Sequence, residues 1–329
     1  MGRMSEKITI DTVYDGLLSE VLTEYVDFKR SVGNDYIKEA KHFKRFDTFS
    51  KSFNFPKNTL TKELVLAWIE KKSHEKHLNQ LKRANTIKQF AYFMRERGYE
   101  AYIDPHKTAN LSQPYIPYIF TEEQMYLLLS LADKHPKAKS SKNLDLIVPL
   151  VFRLLYGCGM RISEVLNLKI SDVDTENALI YISKSKFGKG RTIPIAQSLA
   201  LRCKIYKEKL FPIILNEDNH FIQNPNGQKY SNNTIYCHFR TLLNQAQIPH
   251  RGKGQGPRLH DIRHTFAVHS LKKNVLKGKD IRAMLPALSA YMGHCDLRGT
   301  QIYLKLTPEM FPNITDSMNV LFSDEGDFL

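Results

Sequence analysis

The sequence predicts a mainly α protein of two domains, in which the second domain adds a small antiparallel β-hairpin. Three observations lead to this prediction. Apolar residues recur at helical spacing through residues 10–100. A stretch with three prolines follows at residues 104–118, which is typical of a linker. Beyond it the chain is again mostly helical, apart from two short β-branched runs at 179–183 and 191–195.

The first predicted domain, residues 1–112, contains four helices. Apolar residues from Val13 to Phe28 predict the first helix, and residues 36–49 predict the second. The third helix opens at Thr61, whose side chain is a suitable N-terminal cap. The fourth covers residues 79–97 and ends at a glycine, so four helices with short connections form a small bundle.

The second predicted domain, residues 113–329, is a mostly helical α/β unit. Its first helix follows Thr121, which we expect to cap it. The two β-branched runs flank a lysine-rich loop with Gly188 and Gly190, a pattern that predicts a hairpin. Because proline cannot donate a hydrogen bond to a neighbouring strand, Pro194 places the second run at the edge of the sheet.

The charge balance favours a polyanionic partner. The 329 residues carry a formal net charge of +14. Residues 1–112 hold 20 Lys/Arg against 15 Asp/Glu, and residues 113–329 hold 28 against 19. Both domains are therefore basic, as expected of a protein that grips a nucleic acid from two sides. A generally basic surface without such a partner remains open on charge alone.

Other composition features restrict the class of protein. The sequence has no run of eighteen apolar residues and no apolar signal core near Met1, so we expect a cytoplasmic protein without membrane contact. The four cysteines are scattered without a CxxC pair. Structural disulfides and a zinc knuckle are therefore not expected.

Five dispersed residues have the side-chain chemistry for metal-free attack on a phosphodiester. They are Arg161, His260, Arg263, His294 and Tyr303. A phenol forms a covalent phosphoryl ester, and two guanidinium groups neutralise the non-bridging oxygens of a phosphate through paired hydrogen bonds. Taken singly, each residue has a plainer interpretation. Arg161 has a structural partner in Glu164, three residues along, and His260 with His264 has the spacing of a two-histidine metal site.

The residues around these five positions resemble a known family. The stretches are Gly157-Cys-Gly-Met-Arg-Ile-Ser-Glu164, His260-Asp-Ile-Arg-His-Thr-Phe-Ala267, Gly293-His294 and Thr300-Gln-Ile-Tyr303. With them, residues 145–307 resemble the catalytic domain of the tyrosine recombinases, also called the phage integrase family. Residues 10–103 resemble, by composition, the family's SAM-like core-binding domain of four helices.

The resemblance implies a role for each matching residue. Arg161 and Arg263 would clamp the scissile phosphate, and His294 would hydrogen-bond it. His260 would be the general acid/base and Tyr303 the nucleophile. The family's remaining catalytic residue is a hairpin lysine that protonates the leaving 5′-oxygen, and Lys186 matches it best. Lys184 and Lys189 are the other candidates for this acid. In the alternative interpretation, all three lysines only contact DNA phosphates.

The resemblance also implies partners. They are double-stranded DNA carrying specific sites, three further copies of the chain in a tetramer on DNA, and accessory DNA-bending or directionality proteins. No cofactor and no metal are expected. The chain would act as a clamp around the duplex and exchange strands through a Holliday junction. Candidate DNA contacts are the basic residues of the fourth helix and the hairpin: Lys82, Arg83, Lys88, Lys184, Lys189 and Arg191.

Two departures and two rival functions accompany the resemblance. Lys305 stands where many members have histidine, and the stretch between Arg263 and His294 is longer than in compact members. The longer stretch resembles that of the mobile-element branches of the family.

The apolar tail, residues 308–329, is expected to pack either into a neighbouring protomer or onto its own domain. The rivals are a DNA-binding regulator with a degenerate recombinase fold and a type IB topoisomerase-like relaxase.

Overall fold

The computed structural model describes residues 12–105, 116–137, 143–183, 190–213, 216–250, 252, 256–294 and 303. The chain divides into two compact units, Met1–Tyr115 and Ile116–Leu329. The division falls within the proline-bearing stretch. The hairpin tip at 184–189 and the tail at 308–329 lie outside the described residues, as do the predictions made for them.

The described part of the first unit contains four helices, as predicted. They are α1 (Ser19–Ser31), α2 (Ile37–Ser50), α3 (Lys62–Ile69) and α4 (His77–Glu96). The side-chain oxygen of Thr61 accepts a hydrogen bond from the backbone N–H of Leu64 at 3.4 Å, which confirms Thr61 as the cap of α3. After α4, Gly98 adopts the left-handed conformation that ends many helices.

An aromatic cluster holds the first unit together. The ring of Tyr25 lies 5.0–5.5 Å from the rings of Phe43, Phe90 and Phe93, measured between centroids. All four side chains are buried. Since burial of one such side chain contributes about 2–3 kcal/mol, these rings help to join α1, α2 and α4.

The second unit is built around one apolar helix. Its described helices are α5 (Glu122–Asp133), α6 (Leu144–Gly157), α7 (Ile162–Asn167), α8 (Gln197–Leu210), α9 (Asn232–Gln245), α10 (Asp261–Leu276) and α11 (Ile281–Met292). Helix α6 is apolar on most of its faces and packs against α5, α8 and α10, as expected of a central helix. No helix among the described residues combines the length and apolar character needed to cross a membrane.

The start of α5 confirms the predicted cap. The Thr121 side chain accepts a hydrogen bond from the Gln124 N–H at 3.1 Å, and the Gln124 side chain accepts one from the Thr121 N–H at 3.0 Å. This reciprocal pair is a capping box, which satisfies two of the N–H groups that a helix start leaves without partners.

The predicted hairpin is present and carries one additional strand. The sheet has the order β1 (Val173–Asp174), β2 (Leu179–Ile182) and β3 (Arg191–Pro194), and both pairs are antiparallel. Ile180 faces Ile193, and Ile182 faces Arg191. Strand β3 is the edge strand of the described sheet, as Pro194 predicted. Its register places Arg191 at the base of the hairpin tip.

Candidate active site

Arg161 lies at the N-terminus of α7 and reaches toward the end of α11. Its Nη1 donates to Oε1 of Glu164 at 2.8 Å, and its Nη2 donates to the carbonyl oxygen of Gly293 at 3.1 Å. Its backbone N–H donates to the other carboxylate oxygen of Glu164 at 2.9 Å. The side chain is 19% exposed, so solvent reaches it. The alternative of a structural Arg–Glu pair therefore describes part of its role, since the ion pair aims the guanidinium at the α11 terminus.

Glu164 is a buried carboxylate shared by two arginines. Besides Arg161, it accepts hydrogen bonds from Nη1 and Nη2 of Arg191, each at 3.0 Å. Burial raises the pKa of Glu164, but the hydrogen bonds from Arg191 and from the Arg161 backbone, with both positive charges, outweigh it and hold the pKa below its usual value. The carboxylate is therefore ionised at neutral pH.

Arg263 is almost completely buried beneath the site. It is 2% exposed, and it donates from Nη1 to the carbonyl oxygen of Gly159 at 2.6 Å and from Nη2 to that of Met292 at 2.7 Å. Burial, and then the like charge of Arg161, lower its pKa to about 10. The side chain remains cationic at neutral pH. It joins the turn after α6 to the last residue of α11.

Gly293 makes the turn that brings His294 to the site. Its φ of +68° is in the left-handed region, and a Cβ atom there would lie 2.6 Å from Nη1 of Arg191. Glycine is required on both grounds. The His294 ring stacks near the Tyr303 ring, with centroids 6.3 Å apart. Burial, followed by the charges of Arg263 and Arg161, lowers the pKa of His294 to about 4.

Tyr303 is buried at the centre of these groups. Its side chain is 1% exposed, and its hydroxyl lies 3.1 Å from Nδ1 of His264. Burial raises the pKa of Tyr303 to about 12, although the positive charges of Arg263 and Arg161 act in the opposite direction. In this state the phenol is protonated and shielded from solvent.

His260 stands at the exposed start of α10. Its ring contacts that of His264 edge-on, with centroids 4.8 Å apart. Desolvation by the surrounding protein, then the charges of Arg263 and Arg161, lower the pKa of His260 to about 4. The imidazole is neutral at pH 7 and is able to accept a proton.

The structure brings five of the six predicted catalytic residues into one site. They are Arg161, His260, Arg263, His294 and Tyr303, supplied by α7, α10, the end of α11 and the segment after it. The sixth, Lys186, and its rivals Lys184 and Lys189 lie outside the described residues. Within the described part of the chain, no group of three or more His, Cys, Asp or Glu residues is arranged to hold a metal ion.

The predicted DNA contacts divide into two groups. Lys82 is exposed and Lys88 is partly exposed. Arg83 is 5% exposed, with Nε donating to Glu75 at 3.2 Å and Nη2 donating to the carbonyl oxygen of Glu70 at 2.9 Å. Arg191 is likewise held by Glu164. In this structure the guanidinium groups of Arg83 and Arg191 are each bound to a carboxylate of the protein, and their contact with DNA stays a prediction.

Sequence reasoning missed the role of His264. The residue directly follows Arg263, and its Nδ1 contacts the hydroxyl of Tyr303, which is 39 residues further along the chain. The signal available in the sequence was its place inside the His260–Ala267 stretch.

Comparisons with known proteins agree with this geometry. The family model described as "Phage integrase family" matches residues 119–310. A putative integrase/recombinase, y4rB, from Sinorhizobium fredii is 28% identical over 295 residues, which cover 88% of this chain and 93% of the relative. Tyrosine recombinase XerA from Pyrococcus furiosus is 30% identical over 210 residues, 63% of each chain.

Solved structures support the fold. The Tn1549 transposon integrase in complex with circular intermediate DNA has a TM-score of 0.58 at 18% identity, covering 86% of this chain and 94% of that one. The XerH site-specific recombinase bound to difH substrate, in a pre-cleavage complex, has a TM-score of 0.57 at 20% identity, covering 86% and 81%. Since the family model spans more than half of the sequence, this chain belongs to the phage integrase family and is a tyrosine recombinase, an enzyme that cleaves and rejoins DNA strands.

Proposed function

We propose that Tyr303 cleaves one DNA strand at a specific site by attacking the scissile phosphorus. The phenolic oxygen forms a bond to phosphorus, the bond to the 5′-oxygen breaks, and the product is a 3′-phosphotyrosine. The observation that supports this most directly is the position of Tyr303 beside His294 and the two arginines. A phenol needs such neighbours, because at neutral pH it is a weak nucleophile.

Arg161 and Arg263 stabilise the transition state of this attack. Negative charge grows on the equatorial oxygens of the phosphorane, and guanidinium donors already fixed in place stabilise that charge by several kcal/mol. Both arginines are fixed by carbonyl oxygens at the end of α11, and each has N–H donors beyond those bonds. His294 follows that helix end and contributes a hydrogen bond to the phosphate.

Two proton transfers accompany the reaction. The phenol loses its proton to a neutral imidazole, and His260 is the general acid/base assigned by the resemblance. The leaving 5′-oxygen is strongly basic and takes a proton from Lys186. The phosphotyrosine conserves the energy of the broken bond, so a 5′-hydroxyl from a partner strand reverses the step without ATP, a cofactor or a metal ion.

The reaction takes place in an assembly on DNA. Residues 1–112 form the core-binding domain and residues 113–329 form the catalytic domain. Both domains of one protomer bind the same DNA duplex, and the assembly joins two recombination sites. Four protomers exchange strands in pairs through a Holliday junction, assisted by accessory DNA-bending proteins. The enzyme works in the cytoplasm on the nucleoid. The tail, residues 308–329, packs into a neighbouring protomer, so its deletion weakens tetramer formation while leaving single-site binding intact.

A plasmid carrying two copies of the cognate site tests this proposal. Candidate sites come from the ends of the DNA segment that contains the gene. We expect recombinant circles and, with mismatched sites, trapped four-way junctions. Binding without any cleavage would support a regulator instead. Relaxation of a plasmid that has no such site, without recombinants, would support the topoisomerase-like alternative.

A further inference from the structure

Arg191 lies outside the set of residues assigned to cleavage, yet it binds Glu164, which pairs with Arg161, and the backbone of Tyr291 near the end of α11. We infer that Arg191 is a positioning residue of the DNA-cleavage site. It orients Arg161 through the Glu164 carboxylate and fixes the turn that carries His294. This inference rests on the proposed function and adds a residue to its machinery.

All three nitrogens of the Arg191 guanidinium group donate hydrogen bonds. Its Nη1 and Nη2 donate to the two oxygens of Glu164 at 3.0 Å each, and its Nε donates to the carbonyl oxygen of Tyr291 at 2.9 Å. The side chain is 11% exposed. This is the parallel, two-point geometry in which arginine binds carboxylates best. A DNA phosphate would have to displace a bidentate, largely buried ion pair in order to bind Arg191.

Arg191 influences the orientation of Arg161 through the Glu164 carboxylate, which both arginines bind. One of its oxygens accepts from Nη1 of Arg161 and from Nη1 of Arg191, and the other accepts from the Arg161 backbone and from Nη2 of Arg191. Without Arg191, the largest of the contributions that lower the pKa of Glu164 is lost while burial still raises it, so the carboxyl group would take up a proton at a higher pH. A protonated Glu164 no longer holds Arg161 as an ion pair.

Arg191 also acts on the position of His294, through the end of α11. Arg191 binds the carbonyl oxygen of Tyr291, and Arg161 binds that of Gly293, so the two arginines hold the helix end just before His294. The Tyr291 hydroxyl in turn donates to the carbonyl oxygen of Pro194 at 3.0 Å. The first and last residues of β3, Arg191 and Pro194, therefore both bind Tyr291 of α11.

This attachment fixes the start of β3 relative to Arg161 and to the end of α11. Arg191 is the first residue of β3, and its contacts hold it against Glu164 and the backbone of Tyr291. In the sequence, the candidate acid Lys186 comes five residues before Arg191.

A mutant cycle with full-length protein tests the inference. The variants are Arg191→Ala, Glu164→Gln, their combination, and Arg202→Ala as a control for loss of an exposed arginine of the same unit. Each is assayed for equilibrium binding of the cognate duplex and for single-turnover adduct formation on a nicked suicide duplex, over a range of pH.

We expect Arg191→Ala to bind DNA within about threefold of wild type and to form adduct about 10- to 100-fold more slowly, the effect of a misplaced catalytic group. The acid limb of its rate profile should move to higher pH, because Glu164 then protonates more readily. The double variant should be no slower than the slower single variant, since both changes break one chain of contacts. Arg202→Ala should match wild type.

Several results would overturn the inference. They are an Arg191→Ala rate equal to wild type, a double variant whose losses multiply, or weaker binding with a salt slope reduced by about one, the sign of a direct phosphate contact. If Arg191→Ala does not fold, Arg191→Lys keeps the charge without the two-point geometry, and a wild-type rate for it would be equally contrary. Absence of any adduct from wild type would instead contradict the proposed function.

Discussion

The hydroxyl of Tyr303 lies 3.1 Å from Nδ1 of His264, the residue that directly follows Arg263. Burial, followed by the charges of His260 and Arg263, lowers the pKa of His264 to about 4, so its ring is neutral at pH 7. The phenol and Nδ1 share this hydrogen bond. Without DNA, the proposed nucleophile is therefore held by a residue that the catalytic assignments do not include.

Replacing His264 with alanine should slow cleavage. The phenol loses the hydrogen-bond partner that orients it, and one hydrogen bond of this kind is worth about 1 kcal/mol, or about a fivefold change in rate. Single-turnover adduct formation measures the effect. His238→Ala is the matched control, because His238 is a half-buried histidine on α9 whose ring hydrogen-bonds His135 away from the site. Equal rates for His264→Ala and wild type would show that this contact has no part in the reaction.

The stability of the DNA-free protein should fall as the pH drops from about 6.5 to about 4. Burial and positive neighbours lower the pKa of His264 and His294 to about 4 in the folded protein, from 6.5. Between these pH values the unfolded chain binds protons that the folded protein does not. The contribution of these histidines to the free energy of unfolding is therefore fully present above pH 6.5 and decreases as the pH falls toward 4.

Thermal unfolding across this pH range measures the effect, with and without inorganic phosphate. A bound anion raises the pKa of nearby histidines and should reduce the loss. His294→Gln removes one of the two groups and should flatten the dependence. A melting temperature that does not change between pH 6.5 and 4, or a slope that is unchanged in His294→Gln, would be contrary to this account.

Gly159 should tolerate alanine much less well than Gly278. Both have positive φ, +57° and +74°, so both variants bear the cost of about 1 kcal/mol for a left-handed alanine. At Gly159 a Cβ would also lie 2.2 Å from the Phe266 ring, whereas nothing lies within 4 Å at Gly278. Overpacking adds about 1–3 kcal/mol. Denaturant unfolding of the two variants gives the difference, and equal losses would mean that Phe266 moves aside freely.

Lys82 and Arg83 are adjacent in sequence but should respond differently to alanine. Arg83 is buried and paired with Glu75, so Arg83→Ala leaves a carboxylate without its partner and should cost about 3 kcal/mol of stability. Lys82 is exposed, and Lys82→Ala should leave stability unchanged and reduce the salt dependence of DNA binding by about one phosphate contact. Unfolding and binding titrations separate the two. An unchanged salt slope for Lys82→Ala would remove it from the DNA interface.

The sequence predicted the elements that have local signals. Thr61 and Thr121 cap helices where expected, and Pro194 marks the edge strand. The two-residue strand β1 was not predicted, because so short a segment has no alternation of its own. It forms by pairing Val173 with Ile180 in β2.

Within the site, the limit of prediction was the partner of each charged side chain. The spacing of the motifs indicated Arg161, Arg263 and Tyr303 as a set. It did not indicate that Arg191 binds Glu164, 27 residues away. A positive charge in the sequence is compatible with either a carboxylate or a phosphate as its partner, and only the tertiary fold decides between them.

Covalent capture of DNA by Tyr303 tests the central claim most directly. The protein would be mixed with nicked suicide duplexes in the presence of EDTA, and denaturing gels would separate free DNA from protein–DNA adduct. Wild type should give an adduct through the 3′-phosphate, and Tyr303→Phe should give none while still binding the duplex. An adduct formed by Tyr303→Phe, or none formed by wild type on a duplex that it binds tightly, would contradict the assignment of Tyr303 as the nucleophile.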